Sequence, residues 1–236
     1  MGKEKNYIEL YKLQDKVLRI VNELENDFYL TGGTALHRFH YDFRYSEDLD
    51  FFMIRSRSYR EDIAEILEKM EEEGLSPKVE VEARDFHRIY VDGLQIDFVN
   101  DSVYRYGKSV YMDDIRVDNL TKIFTNKIGA IFSRDENKDM FDFWSIVKKE
   151  TFDWGKILEI VNKKENFNKS DFIFRLQSYP LEEIHQVDLT GNCFLEVSEE
   201  DVEKVCEDIQ KERENTIANL PLGKNRINKK SKTIKP

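Results

Sequence analysis

The chain has little cysteine and no long run of apolar residues. Its two cysteines, Cys193 and Cys206, form no Cys-x-x-Cys pair, so the sequence predicts no disulfide framework. No apolar stretch approaches the ~20 residues of a membrane span. The charged start of the chain does not resemble a signal peptide. These absences predict a reduced, cytoplasmic protein with no membrane partner.

The chain also has fewer basic than acidic side chains. The 236 residues include 47 acidic and 37 basic side chains, which give a formal net charge of -10. Such a chain has no bulk attraction for nucleic acid, so any contact of that kind would need a local basic patch. With 16 phenylalanines and 11 tyrosines as core material, the sequence predicts a folded protein of one large domain or two small ones.

The hydrophobic pattern predicts an α/β protein, with a mixed β-sheet and flanking helices followed by a C-terminal helical domain. Strands are predicted at 28–31, 49–54, 78–83, 87–91, 94–99 and 110–115, and helices at 4–25, 34–41, 57–73, 120–132, 138–149, 153–164, 169–177 and 199–218. Asp92-Gly93 is a strong hairpin signal between two of these strands. The predicted divisions are a core at 1–115, a helical domain at 116–220 and a basic, disordered tail at 221–236.

A pair of glycines follows the first predicted strand and opens a predicted helix. Gly32 and Gly33 allow backbone N–H groups to approach an anion closely, and Thr34 adds a hydroxyl. The dipole of the helix that begins there also favours negative charge. This segment therefore predicts a binding site for the phosphates of a nucleotide.

Three aspartates are predicted to form a metal site. Asp48 and Asp50 are two residues apart and leave the same face of a strand, opposite Leu49 and Phe51. Asp97 lies on the polar face of a later strand, where a carboxylate needs a partner or a metal. Clustered carboxylates repel one another, and Mg²⁺ or Mn²⁺ would remove that conflict because both ions prefer oxygen ligands.

Each part of this pattern is common by itself. An isolated Asp-x-Asp is most often a solvated turn, and a Gly-Gly pair is most often only a turn. His37 and His40 have a spacing compatible with a metal pair, but no cysteine or third histidine is nearby, so their helix face is predicted to pack. The specific signal is the joint order of strand, Gly-Gly-Thr, helix, Asp-x-Asp and a later Asp between apolar residues.

The joint pattern resembles the AbiEii/AbiGii toxin family, which belongs to the DNA polymerase β-like nucleotidyltransferase superfamily. The first motif is Gly32-Gly33-Thr34-Ala35-Leu36, followed by Arg44-x-Ser46-Glu47-Asp48-Leu49-Asp50-Phe51. Asp97 in Gln-Ile-Asp-Phe matches the third carboxylate of the superfamily. A second motif runs from Lys127-Ile-Gly-Ala through Arg134 to Lys138-Asp139-Met-Phe-Asp142-Phe. The resemblance covers about residues 28 to 148 and implies that 1–115 is the nucleotidyltransferase core.

The resemblance also implies roles for individual residues. Asp48 and Asp50 would bind the metal, while Asp97 would complete the metal site and accept the acceptor's proton. Lys127 would meet the triphosphate or the developing charge, with Asp142 as its companion in nucleotide binding.

Several of these charged residues also have structural interpretations. Lys127 and Asp142 lie on amphipathic helices, where surface charges are routine, and Asp139 could pair with Arg134. Arg44 and Ser46 precede the carboxylates and are predicted to contact the nucleotide, although an ordinary surface ion pair is the alternative for the arginine.

The implied function is transfer of a nucleoside monophosphate from an NTP to an acceptor hydroxyl, as the toxin of a toxin–antitoxin pair. An RNA acceptor, such as the 3′ end of tRNA, and a cognate antitoxin are the partners this implies. Two alternatives stay open. One is a nucleotidyltransferase that modifies small-molecule antibiotics, and the other is a non-catalytic protein that binds NTP and a partner through its helical half.

Overall fold

The computed structural model describes residues 6–193, 195–218 and 220–221. The predicted basic tail therefore lies outside the described residues, except for Pro221. Across the described segments, every helix is too short or too polar to cross a membrane.

Within these residues, seven strands form one mixed sheet in the order β3-β4-β5-β2-β1-β7-β6. The strands are β1 (Tyr29–Thr31), β2 (Leu49–Ile54), β3 (Lys78–Glu82), β4 (Phe86–Val91), β5 (Leu94–Asp101), β6 (Val110–Met112) and β7 (Ile115–Val117). Central strand β2 pairs antiparallel with β1 and parallel with β5. A separate parallel pair joins β8 (Glu150–Thr151) to β9 (Leu220–Pro221).

Helices flank the sheet and dominate the second half of the chain. They are α1 (Tyr7–Glu23), α3 (Tyr59–Glu72), α4 (Leu120–Ser133), α5 (Asn137–Lys149), α6 (Trp154–Lys164), α7 (Lys169–Ser178) and α8 (Glu199–Lys211), with a 3₁₀ turn at Leu181–Glu183. The predicted α/β class is confirmed by this arrangement. The division of the chain into domains stays a prediction, since one hydrophobic cluster includes both Leu30 of the sheet and Trp154 of the helical half.

The helix after the glycine pair has an unusual geometry. This segment, α2, begins as an α-helical turn at Gly32–Thr34 and continues as a π-helix at Ala35–His40. The backbone N–H of Tyr41 accordingly donates to the carbonyl of Leu36, five residues earlier, at 2.9 Å. The sequence predicted an ordinary helix here, because side-chain periodicity over six residues does not separate the two forms.

Two other segments differ from the prediction. The expected strand 110–115 is instead the hairpin of β6 and β7, whose turn residues Asp113 and Asp114 have φ of +48° and +62°. Aspartate tolerates this left-handed conformation in tight hairpin turns. Helix α8 ends at Lys211 rather than near 218, because the Asp208 carboxylate accepts hydrogen bonds from the backbone N–H and hydroxyl of Thr216 and draws the chain back.

The alternating pattern of β2 positions the site. Leu49, Phe51 and Met53 are at most 2% exposed and face the core. Phe51 stacks on Phe98 of the neighbouring strand at a ring-centroid distance of 5.2 Å. Because successive strand residues point to opposite faces, this packing directs the intervening aspartate to the other side of the sheet.

Candidate active site

The register of the two central strands brings the predicted carboxylates together. Asp48 immediately precedes β2, Asp50 is the second residue of β2, and Asp97 lies in β5. The parallel pairing of β2 and β5 places Asp50 directly opposite Asp97. Neighbouring strands are about 4.8 Å apart, so the two side chains leave the same face side by side.

The electrostatics of Asp50 reflect this crowding. Burial raises the pKa of Asp50, and the neighbouring carboxylates of Asp48 and Asp97 raise it further, to about 7. Lys127 and Lys138 act in the opposite direction but do not cancel the effect. A carboxyl group held in this environment at neutral pH gains from any added positive charge, whether that charge is a proton or a metal ion.

Asp97 has a partner that the sequence analysis did not name. Arg88 of β4 donates Nε to Asp97 Oδ1 at 2.8 Å and Nη2 to Asp97 Oδ2 at 2.7 Å. Gln95 Nε2 donates to the same Oδ2 at 3.2 Å. The signal was present in the predicted hairpin, because a two-residue turn at Asp92-Gly93 pairs residue 91 with 94 and therefore 88 with 97.

Among the described residues, no three His, Cys, Asp or Glu side chains are already arranged as ligands for a metal ion. The guanidinium of Arg88 hydrogen-bonds to both oxygens of Asp97, so this carboxylate already has a hydrogen-bonded cationic partner, which Asp48 and Asp50 lack within the part of the chain that the structure describes. Asp48 and Asp50 nevertheless fit a hard divalent cation. Both supply oxygen donors, and the raised pKa of Asp50 shows that their negative charge is incompletely compensated.

The two glycines of the predicted anion site are required by close contacts. A Cβ atom on Gly32 would lie 2.3 Å from Asp50 Oδ2, and the backbone there has φ of +70°. A Cβ atom on Gly33 would lie 2.4 Å from Arg44 Nη2. The first N–H groups of the helix that starts here have no acceptor within the helix itself. The glycines thus allow α2 to lie directly against the carboxylate strand and an arginine.

Replacing Gly32 with alanine tests this contact, and Gly93 provides a matched control. Gly93 also has positive φ, +88°, but a Cβ atom there would meet nothing within 4 Å. Both Gly32→Ala and Gly93→Ala should lose about 1–2 kcal/mol from the left-handed backbone. Gly32→Ala should lose at least about 1 kcal/mol more because Asp50 must move. Urea denaturation measures both; equal losses would contradict the close packing of Gly32 on Asp50.

Thr34 differs from the prediction of a phosphate-binding hydroxyl. The residue is fully buried, and its hydroxyl donates to the backbone carbonyl of Asp48. Thr34 therefore fixes the position of the segment that carries the first carboxylate. The hydroxyl has no free path to a ligand in the cleft.

The second sequence motif forms a buried ion network centred on Asp142. Arg44 donates to both oxygens of Asp142 at 2.7 Å, and the Lys127 ammonium lies 2.6 Å from Asp142 Oδ2. His37 Nε2 lies 2.7 Å from Asp142 Oδ1. Burial alone would raise the pKa of Asp142, but Arg44 and Lys127 hold it well below the usual range.

This network corrects the predicted roles of three residues. Asp142 is fully buried, so it cannot contact a nucleotide and instead positions cations. The Lys127 side chain is 7% exposed and also donates to Asp139 at 2.8 Å, which leaves it little freedom to reach a triphosphate. Arg44 is 5% exposed, so the surface ion pair considered for it is wrong.

Arg134 of the second motif and the two histidines after the glycine pair also have partners within the protein. Arg134 donates Nη2 to Asp139 Oδ1 at 3.0 Å, in agreement with the proposed pairing of these two side chains. His37 is 2% exposed and belongs to the Asp142 network. Burial lowers the pKa of His40 to about 4, and one of its ring nitrogens lies 3.3 Å from the carbonyl of Asp118. Each histidine is thus held in packing, as predicted.

A cleft of about 760 Å³ opens beside Asp48. Three segments line it: residues 44–48 before β2, residues 135–138 at the start of α5, and residues 185–188. Arg44, Ser46 and Asp48 were predicted as site residues, whereas the other two segments were not. Lys138 brings an exposed ammonium into this cleft, 4.0 Å from Asp48 Oδ2.

Comparison with known proteins places the chain in a family. The model of the family described as "Nucleotidyl transferase AbiEii toxin, Type IV TA system" matches residues 17–217. An uncharacterised protein of Aquifex aeolicus (strain VF5) is 28% identical over 162 residues, which cover 65% of this chain and 72% of that protein. JHP933 from Helicobacter pylori shares the fold with a TM-score of 0.56 and 15% identity, covering 89% of this chain and 96% of JHP933.

A second Helicobacter pylori structure, assigned as a nucleotidyltransferase, has a TM-score of 0.54 and 15% identity, covering 88% of this chain and 98% of its own. The fold and the matched sequence define the class of protein as a nucleotidyltransferase. The chain belongs to the AbiEii family of nucleotidyltransferase toxins. The resemblance drawn from the two sequence motifs is thereby confirmed.

Proposed function

We propose that this protein transfers a nucleoside monophosphate from an NTP to an acceptor hydroxyl, with release of pyrophosphate. The observation that carries the proposal is the pairing of Asp50 with Asp97 in adjacent parallel strands, together with the packing of Gly32 against Asp50. Carboxylates beside a glycine-lined helix start provide for a divalent cation and for phosphates at one place.

Asp48 and Asp50 would hold Mg²⁺ or Mn²⁺ in this site. When bound, the ion would offset carboxylate charge and polarise the phosphoryl oxygens. The backbone N–H groups at Gly32 and Gly33, at the start of α2, would donate to the phosphates, and donors on a helix start are fixed before the substrate arrives. The network around Asp142 is proposed to act indirectly, because the Arg44 guanidinium that it holds packs against Gly33 and donates to the carbonyl of Tyr45, in the segment before Asp48.

The transfer exchanges one bond for another at the α-phosphorus. The acceptor oxygen bonds to that phosphorus, the bond to the oxygen bridging the α- and β-phosphates breaks, and pyrophosphate leaves. The acceptor's proton passes to Asp97. Arg88 occupies one direction at each Asp97 oxygen, but a carboxylate has about four lone-pair sites, so this group keeps capacity to accept the proton.

Lys138 is proposed to contact the triphosphate in place of Lys127. Its side chain is 40% exposed, it lines the cleft, and it has no buried partner to leave. Lys138→Ala should raise the KM for NTP about tenfold, because one ammonium–phosphate contact is worth about 1.4 kcal/mol or more. Lys163→Ala, at a side chain 49% exposed outside the cleft, is the control. Equal KM values for the two variants would exclude this role.

The acceptor is proposed to be RNA, such as the 3′ end of tRNA, and the biological role that of a toxin with a cognate antitoxin. The test incubates the purified protein with each α-labelled NTP, Mg²⁺ and one of three acceptors: total RNA, protein, or an aminoglycoside or lincosamide. Label on RNA supports the proposal, and label only on the antibiotic replaces it with small-molecule modification.

Expression in bacteria separates the catalytic role from a binding role. Wild-type protein should arrest growth, whereas Asp48→Ala should not, because the variant lacks one metal ligand. Growth arrest that survives this substitution would favour a non-catalytic protein that acts by binding a partner.

A further inference from the structure

A second cavity lies at the opposite end of β2 from the carboxylates. It has a volume of about 480 Å³, and its charged lining consists of four arginines, Arg55, Arg57, Arg60 and Arg84, and one aspartate, Asp85. Arg55 follows Asp50 by five positions along β2 and its extension, which corresponds to about 16 Å along a strand. The arginine cavity is therefore a separate site from the carboxylate cleft.

The two sites have opposite charge. Besides His185, the charged lining of the carboxylate cleft is five acidic and two basic side chains. The arginine cavity reverses this balance within a chain whose formal net charge is -10. Like charges brought together cost stability unless something is gained. Arg60 has an acidic partner, Glu82, at 3.5 Å, and Arg84 has Asp85 at 3.7 Å, whereas no ion pair engages Arg55 or Arg57 within the described residues. The cavity therefore has more guanidinium groups than acidic partners, which indicates a site for an anionic ligand.

The arginines are partly positioned and partly open to a ligand. Arg55 donates Nε and Nη2 to the carbonyl of Ser102 at 3.1 and 2.6 Å, which fixes its guanidinium at the cavity. Arg84 is 93% exposed, with its Nε 3.7 Å from Asp85 Oδ2. Arg57 is also exposed, and within the described residues no hydrogen bond or ion pair engages its side chain. These two guanidiniums keep most of their donors for a ligand.

A helix start borders the cavity. The 14-residue helix α3 begins at Tyr59, a residue that also lines the cavity. Its first turn contains Glu61 and Asp62, and the N-cap hydroxyl of Ser58 donates to Asp62 Oδ2 at 3.0 Å. These carboxylates offset the helix dipole, so the positive charge of the cavity comes from its arginines.

We propose that the arginine cavity binds the phosphodiester backbone of an RNA strand whose reactive end lies at the carboxylates, an inference that rests on the function proposed above. Arginine matches phosphate by bidentate hydrogen bonding and stays charged at all physiological pH values. Without a bound metal ion the lining of the carboxylate cleft is net negative, so the cleft itself does not attract an RNA strand, and an RNA acceptor needs a contact away from the reacting end. The arginine cavity supplies the local basic patch that a net acidic chain requires for RNA binding.

The test measures binding of a fluorescein-labelled single-stranded RNA by anisotropy, without Mg²⁺ or NTP. The variant is Arg57→Ala/Arg84→Ala, and Arg19→Ala/Arg175→Ala is the control that removes the same charge elsewhere. In binding of single-stranded nucleic acid, each phosphate contact contributes about 0.7 to the slope of log K against log salt concentration. The cavity variant should therefore bind about 25-fold more weakly at 0.1 M salt and lose about 1.4 from the slope, while the control binds like wild type.

Three outcomes overturn the proposal. The first is equal loss of RNA binding in both double variants, and the second is RNA binding by the cavity variant at wild-type strength. The third is binding of a labelled poly-glutamate peptide as tightly as RNA through Arg57 and Arg84, which would indicate an acidic protein partner instead.

Failure of this site and failure of the proposed function are distinguishable. RNA binding that depends on Arg57 and Arg84, without nucleotide transfer to any RNA, would reject RNA as the acceptor and retain the arginine cavity as an RNA-binding site. Nucleotide transfer to RNA that is unaffected by Arg57→Ala/Arg84→Ala would reject the arginine cavity as the RNA-binding site and retain the proposed nucleotidyltransferase function.

Discussion

Replacing Asp50 with asparagine should reduce nucleotide transfer on the order of 10³-fold, the scale on which loss of one preorganised electrostatic contact lowers kcat. The substitution keeps the shape of the side chain but removes one negative charge from the pair Asp48 and Asp50. The neutral amide has one oxygen in place of a carboxylate, so affinity for a divalent ion falls. The measurement is single-turnover transfer of α-labelled NTP at saturating Mg²⁺.

The same variant should be more stable than wild type when metal is absent. Burial and the adjacent carboxylates raise the pKa of Asp50 from its ordinary value to about 7. Between pH 4 and 7 the unfolded chain has lost this proton while the folded chain retains it, so wild-type stability falls as pH rises through that window. The amide side chain of the variant does not titrate. With EDTA present, the stability advantage of Asp50→Asn should therefore grow by about 2–3 kcal/mol between pH 5 and pH 8.

Added Mg²⁺ should remove the stability advantage of Asp50→Asn over wild type. At pH 8, Mg²⁺ should raise the Tm of wild type because it binds the folded state only, and it should have little effect on Asp50→Asn. Asp27→Asn, at a side chain 83% exposed, is the control and should respond to Mg²⁺ like wild type. An equal Tm shift in Asp50→Asn and wild type would place the ion elsewhere in the protein.

Replacing Asp142 with asparagine should destabilise the protein by about 3–5 kcal/mol. Removing one member of a buried ion pair leaves its partners charged and uncompensated, and here the partners are Arg44 and Lys127. For a chain of this size the loss corresponds to a fall in Tm of about 6–20 °C. Glu200→Gln breaks an exposed pair with Lys204 and should cost at most about 0.5 kcal/mol.

A second substitution distinguishes an electrostatic loss from a packing defect. Lys127→Met removes one of the two cations that lose Asp142 as a partner, while Asp139 keeps Arg134, so Asp142→Asn/Lys127→Met should recover part of the lost stability. No recovery in this double variant would mean that the Asp142 network contributes by packing or geometry rather than by charge balance.

The contribution of Asp142 to stability should not change with pH in the range where the contribution of Asp50 does. The pKa of Asp142 is held well below the ordinary value, so its stabilising effect is present above the unfolded-state pKa and is lost only as pH falls below it. The stability difference between wild type and Asp142→Asn should therefore stay constant from pH 5 to pH 8. A difference that changed across this range would contradict the charge state assigned to Asp142.

Local signals were sufficient for much of the candidate site. Alternation along 49–54 and 94–99 placed Asp50 and Asp97 on polar strand faces, and the structure pairs them. The Asp92-Gly93 turn determines the register of its hairpin and thereby the contact of Arg88 with Asp97. Strand period and turn type are properties of neighbouring residues, so sequence determines them directly.

Other features depended on contacts between distant segments. Arg44 and Asp142 are 98 residues apart, and only the folded chain shows that they form a buried ion pair. The same holds for Lys127, whose spacing on an amphipathic helix does not separate a buried ion pair from a free cation.

By itself, the sequence determined the α/β class, the family and the face on which the carboxylates lie, because periodicity and motif order are local. The tertiary structure alone decided which charges face the cleft, which are neutralised in the interior, and that four arginines meet around one cavity. Burial and pairing decide whether a charge can act on a ligand, and both depend on what the rest of the chain places beside it.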